Sequence, residues 1–154
     1  MILSKILQTT KKLAVVDGNL INWPVADKKE DLKYLVQWCH GAPGAITSLA
    51  LLPKDIDPEF EIILEKAGEL IWKAGPLNKK IALCHGTDGN GFAFLKLYKR
   101  TGKSIWLDRA RQFAMHAIEQ RNGRYTLFTG ELGLAVYLLN CLTGEDEFPI
   151  LDII

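Results

Sequence analysis

Three stretches of this chain stack on one another without a gap, and that internal repeat restricts its fold more tightly than anything else in the sequence. They are Trp38-Cys39-His40-Gly41-Ala42-Pro43-Gly44, Leu83-Cys84-His85-Gly86-Thr87-Asp88-Gly89 and Leu127-Phe128-Thr129-Gly130-Glu131-Leu132-Gly133. Each contains G-x-x-G, and the leading glycines Gly41, Gly86 and Gly130 recur after 45 and then 44 residues. The match continues downstream as apolar positions: Leu49, Phe94 and Leu138, then Leu52, Leu97 and Cys141. A period of ~40 to 47 residues is that of two-helix units, each burying its apolar face against its neighbours.

The segments between the motifs repeat as well. Leu64, Ala67, Leu70, Ile71 and Ala74 mark one helix face, and Leu107, Ala110, Phe113, Ala114 and Ala117 mark another, displaced by 43 residues. Asp57-Pro58 is expected to start the first of these helices and Ser104 to cap the second, with Gly75-Pro76 and Gly123 as stops. Each unit thus reads as a helical hairpin whose first helix begins at G-x-x-G, where the chain must turn sharply and pack closely. Residues 1–12 show amphipathic helical spacing, with apolar residues at 2, 3, 6 and 7. The stretch 15–38 is less regular: Asp17-Gly18-Asn19 reads as a turn and Asn22-Trp23-Pro24 as extended or loop. The reading is one all-α domain over residues 1–154.

Composition removes several function classes. Nineteen Lys and Arg stand against eighteen Asp and Glu, so no basic excess is available for nucleic acid. No run approaches the ~18 apolar residues of a membrane span, and residues 1–12 lack the continuous apolar core of a signal peptide. Three cysteines make no disulfide framework; they read as reduced thiols in a cytoplasmic protein.

Cys39 and Cys84 occupy the same position in successive repeats, each followed by His-Gly-x-x-Gly. Equivalent positions lie at one end of neighbouring hairpins, so the two thiols and the adjoining His40 and His85 can meet in space. Two thiolates with one imidazole form a zinc ligand set that leaves a fourth position open. A thiol at a helix N-terminus also feels the positive end of the helix dipole, which favours the thiolate. The competing reading is two buried structural cysteines, since Cys packs as a small hydrophobe; repetition of Cys-His at one repeat position favours metal. Cys141 aligns with Leu52 and Leu97 and reads as core. Glu61, Glu65 and Glu69 are expected on a solvated helix face, and Arg109, Arg111 and Arg124 as surface charges. Asp88 can orient a ligand or serve the helix dipole, and His116 has no assigned role. No nucleophile elbow, P-loop or dinucleotide fingerprint is present, nor an acidic pair at equivalent repeat positions for glycoside cleavage.

The two Cys-His-Gly motifs, the latter extended by Asn90, resemble those of the LanC and LanC-like family, the lanthionine synthetase C-like proteins. Residues 125–133 resemble the family's last repeat, and Asn22-Trp23-Pro24 the loop ahead of its first motif. The resemblance runs from about Asn19 to the C-terminus, and His40 with Ala42-Pro43-Gly44 is closer to the glutathione-associated LanC-like branch than to the lantibiotic cyclases. It implies an α/α toroid, here about three hairpins of a six-hairpin-like barrel, forming its C-terminal zinc-binding part. It implies zinc held by Cys39, Cys84 and His85, with His40 outside the ligand set. The implied chemistry is activation of a thiol, from a peptide cysteine or glutathione, for addition to a dehydroamino acid to give a thioether. Thr129 departs from the glutamate common among LanC-like relatives, and the acid/base residues of the family's N-terminal half have no counterpart.

These readings lead to a zinc-dependent thioether-forming enzyme, or the zinc half of one, incomplete for catalysis as a lone chain. The half-ring would expose apolar surface to a second copy or to a complementing N-terminal half. The alternative is a non-catalytic helical-repeat module that binds glutathione or peptide; a third reading is a fragment with no independent role.

Overall fold

The computed structural model describes residues 2–26, 34–78 and 80–152. The part of the irregular stretch at 27–33 lies outside them. Among the described residues there are six helices and one two-stranded hairpin. In chain order they are α1 (Ile2–Leu13), β1 (Val15–Asp17), β2 (Leu20–Asn22), α2 (Ala42–Leu49), α3 (Glu59–Ala74), α4 (Thr87–Thr101), α5 (Ser104–Glu119) and α6 (Glu131–Thr143). The all-α expectation holds, with β1 and β2 the one local exception.

The β1–β2 hairpin turns at Gly18, in the left-handed region at φ 58°, and pairs Asp17 with Leu20. Helices α2, α4 and α6 each begin directly after the leading glycine of a motif, as the repeat predicts. They lie side by side, α2 on α4 and α4 on α6, while α3 returns beside α2 and α5 beside α4. The middle helix α4 is therefore enclosed: Phe92, Ala93, Phe94, Leu95 and Leu97 have no exposed surface. Full burial of a Leu or Phe side chain is worth ~1.5–3 kcal/mol, so α4 anchors the core. Ile46, Leu64, Ala67, Ile71, Ala110, Phe113 and Ala117 pack into the same cluster. The apolar faces read for α3 and α5 thus turn to the core, with Leu70 and Leu107 half-buried at its edge and Ala74 exposed at the helix end. Cys141 is buried in this core, as its alignment suggests.

The helix ends partly follow expectation. Asp57 accepts the Glu59 N–H through Oδ1 (3.2 Å), with Pro58 in the first turn. Gly75, at φ 72°, closes α3. Ser104 is the first residue of α5 rather than its cap; the hydroxyl of Thr101 instead receives the Lys103 N–H (3.2 Å). Helix α5 ends at Glu119, before Gly123, which takes φ 71° in the following turn.

The acidic face of α3 is not simply solvated. Glu61 pairs with Arg100 (2.5 Å), Glu65 with Lys103 (2.7 Å) and Glu69 with Arg109 (2.7 Å). Their i, i+4, i+8 spacing places a carboxylate opposite successive cations of the neighbouring hairpin. Arg109 is also corrected from a surface charge: its guanidinium lies over the rings of Trp72 (5.0 Å) and Trp106 (4.8 Å). Arg111 donates to the Cys141 carbonyl (3.1 Å), bracing α5 against α6. No described helix is long and apolar enough to cross a membrane.

Candidate metal centre

The second glycine of each motif shows why the pattern repeats. A Cβ added at Gly44, Gly89 or Gly133 would strike the carbonyl of Trp38, Leu83 or Leu127 respectively. Each helix start is thus pressed against the loop residue just before position 39, 84 or 128. Hydrogen bonds then run across the repeats: the Cys39 N–H donates to the Cys84 carbonyl (3.0 Å), and the Cys84 N–H to the Phe128 carbonyl (3.2 Å). Three residues equivalent in sequence form a backbone ladder, and the first two carry thiols.

Side chains pin the first loop from both sides. Asn22 accepts the Ala42 N–H (2.8 Å) and donates to the Leu35 carbonyl (3.2 Å), so β2 caps α2 and holds the strand leading to Cys39. From α4, Asn90 donates to the Val36 carbonyl (2.9 Å). Trp38 stacks on Phe148 with ring centroids 5.0 Å apart and planes 10° apart. The segment carrying Phe148 is held by the buried Lys96, whose ammonium pairs with Asp152 (2.7 Å) and Asp146 (3.3 Å).

The ladder brings the two thiols close enough to interact. Burial and then the adjoining Cys39 thiol push the Cys84 thiol up from its ordinary value. Both cysteines are free and half-buried. Around Cys39 Sγ stand Gln37 Nε2 and His40 Nδ1, each at 3.3 Å. His85 lines a polar cavity of about 460 Å³ with Lys80, Asn122, Arg124 and Thr129. The structure thus sets the His40 ring against Cys39 and puts Cys84 next to Cys39, with His85 on a cavity wall. Among the described residues no group of three or more His, Cys, Asp or Glu side chains stands ready to enclose an ion. The donor chemistry nevertheless fits a thiophilic cation: two adjacent free thiols, on loops fixed by their own backbones, with an imidazole next in chain to each.

Asp88, fully buried in the first turn of α4, accepts the Ala82 N–H (2.5 Å) and braces the loop that carries Cys84. Burial outweighs the nearby backbone donors and raises its carboxyl to about 6. Lys80 holds the left-handed region at φ 70°, a costly conformation for a residue with a side chain, at the rim of the polar cavity. Neither Lys80 nor Arg124 has a carboxylate partner among the described residues. Sequence reasoning missed Gln37, Lys80 and Phe148. Lys80 stands six residues before Gly86 as Arg124 stands six before Gly130, so the repeat register pairs two cations and could have found it; Gln37 aligns with Ala82, and Phe148 lies past the last motif helix, so periodicity marks neither.

A family model described as "Lanthionine synthetase C-like protein" matches residues 1–153. The LanC-like protein GCL1 of Arabidopsis thaliana is 39% identical over 144 residues, covering 83% of this chain and 32% of that protein. A Danio rerio protein named Glutathione S-transferase LANCL1 is 36% identical over 129 residues, covering 77% of this chain and 32% of that protein. The chain spans about a third of the length of these curated relatives.

Proposed function

The chain belongs to the lanthionine synthetase C-like family, and from that premise we propose that it binds zinc through Cys39, Cys84 and His85 and presents a thiol for addition to a dehydroamino acid. The observation that carries this is the backbone hydrogen bond from Cys39 to Cys84, which sets two equivalent loops, each bearing a thiol, side by side. Two thiols so placed offer sulfur donors without reorganising the backbone. His85 belongs to the proposed set by family resemblance and by its place next to Cys84. Zinc bound there would hold a thiol as its thiolate at neutral pH.

Glutathione is the thiol favoured by the chain's own residues. Lys80 and Arg124 give the cavity beside His85 two cations, which suit the carboxylates of an acidic thiol. The name of the Danio rerio relative points the same way. In the addition, sulfur bonds to the β-carbon, the π pair moves towards the carbonyl, and a proton reaches the α-carbon to complete the thioether. That proton needs a donor. The described lining of the two cavities beside the thiols includes no carboxylic acid, so the chain alone is read as a metal and thiol site incomplete for turnover. Its free thiols suit a reducing compartment, and this reading takes that to be the cytoplasm. The uncovered apolar edge described below suits a second copy or complementing hairpins.

Metal analysis tests the reading. Zinc-replete protein is expected to hold one zinc per chain, lost in both Cys39→Ala and Cys84→Ala. A folded wild type that takes up no zinc on titration ends it. Glutathione binding without thioether formation, even with complementing hairpins supplied, would favour the alternative of a non-catalytic binding module.

A further inference from the structure

Two cavities of opposite character open beside the two Cys-His motifs. His85 opens onto the basic one; Cys39 opens onto another of about 580 Å³ between α1 and α2, walled by Ile6, Trp23, Trp38, Ala45 and Leu49. No charged residue lines this second cavity. The Trp23 indole N–H is already satisfied by the Thr10 carbonyl (2.8 Å), which fixes the ring between the N-terminal helix and α2. Aromatic faces so held offer large apolar contact with little ordering cost.

The repeat explains why the space exists. Ala45 and Ser48 of α2 correspond to Asn90 and Ala93 of α4, which are fully buried beneath neighbouring structure. At α2 the same positions line an opening, and α1 covers it only in part, through Ile6 and Thr10.

Resting on the thiol-adding reading, the geometry points to the α1–α2 cavity as the acceptor site, taking a dehydroalanine whose neighbouring residue is aromatic or aliphatic and uncharged. The apolar side chain sits against Trp23 and Trp38, and the unsaturated carbon faces the sulfur side. The thiol sulfur then forms a C–S bond to the β-carbon, the C=C bond becomes single, and the thiol's proton ends on the α-carbon. No electron is gained or lost overall.

Binding can be read without turnover. The uncharged dye N-phenyl-1-naphthylamine is expected to accept energy from the tryptophans. An N-acetyl-dehydroalanyl-phenylalaninamide peptide should displace it at roughly tenfold lower concentration than the glutamate counterpart. Ala45→Leu, which fills the cavity, and Ser48→Asp, which charges it, should each weaken the dye by about tenfold with thermal unfolding unchanged. Neither residue lines the adjoining groove along α1 formed by Ile2, Lys5 and Leu13, so dye bound there would be indifferent to both. Indifference to both variants, equal displacement by the two peptides, or dye exclusion by a second copy seated on α2 overturns the proposal. Absence of zinc with the dye and peptide preferences intact rejects the thiol-adding reading instead and leaves an apolar peptide site.

Discussion

Helices α4 and α6 begin from the same motif and run in the same register, yet one is buried all round and the other on one side. Asp88, Gly91, Leu95 and Tyr98 of α4 correspond to Leu132, Ala135, Leu139 and Leu142 of α6. The α4 set turns towards α6: Gly91 meets the Tyr137 ring, and Tyr98 lies near Gly144. The α6 set meets no cover among the described residues, with Leu132, Leu139 and Leu142 exposed by 50%, 60% and 80%. An end repeat built to face water would be polar there. The thiol divides the two repeats in the same way, since Phe128 keeps the ladder's carbonyl but not its sulfur. Backbone geometry is common to the repeats; chemistry and exposure are assigned repeat by repeat.

The sharpest way to break this contrast is to exchange side-chain size at one register position. A Cβ at Gly91 would collide with the Tyr137 hydroxyl, itself bonded to the Ala110 carbonyl (2.5 Å). Gly91→Leu is expected to prevent cooperative folding, as overpacking with no route of escape. Ala135→Leu, at the equivalent exposed position, should leave denaturant unfolding within about 0.5 kcal/mol of wild type. The next pair removes rather than adds. Leu95→Ala should destabilise by about 3–4 kcal/mol through its cavity, and Leu139→Ala by no more than about 0.5. Equal losses for the two leucines would mean that α6 is covered in solution as α4 is.

What was legible in the sequence follows the same division. The helical hairpins, the starts of α2, α4 and α6, and the meeting of Cys39 with Cys84 all stem from repetition, which any pairwise stacking of the chain exposes. The ion pairs of Glu61, Glu65 and Glu69 were misread as a solvated face. Spacing along one helix gives a direction, and the cations arrive from Arg100, Lys103 and Arg109 in the next hairpin. His85 enters the ligand set by resemblance, and the structure shows it lining the cavity with Lys80 and Arg124. Phe148 and Lys96 were illegible because their partners are remote in sequence: Lys96 pairs with Asp146 and Asp152, and Phe148 packs on Trp38 and Phe92.

A pH titration sharpens the comparison at its first position, where α4 has Asp88 and α6 has Leu132. Burial raises the folded Asp88 carboxyl to about 6, above its ordinary 3.8, so the folded state binds this proton more tightly than the unfolded chain. Its contribution is therefore most favourable below about pH 4 and is lost as pH rises through about 6. The difference amounts to at most about 3 kcal/mol. Denaturant unfolding from pH 4 to 7 should show this decline, and Asp88→Asn should remove that part of the slope. A slope unchanged in Asp88→Asn would assign the titration to other carboxylates.

The smallest expected change in stability tests the largest structural difference. Replacing Leu132, Leu139 and Leu142 of α6 by Gln removes the exposed apolar stripe without touching the ladder or the core. Unfolding of the dilute triple variant should stay within about 1 kcal/mol of wild type, because the removed surface is already mostly wet. Association should respond instead. If this stripe meets a second copy or complementing hairpins, as proposed, sedimentation should show wild type growing heavier with concentration, or on adding those hairpins, while the triple variant stays monomeric. A wild type that remains monomeric under both conditions would leave α6 with an exposed apolar face and no partner, and the proposed pairing would fail there while the thiol contact of Cys39 and Cys84 stood unaffected.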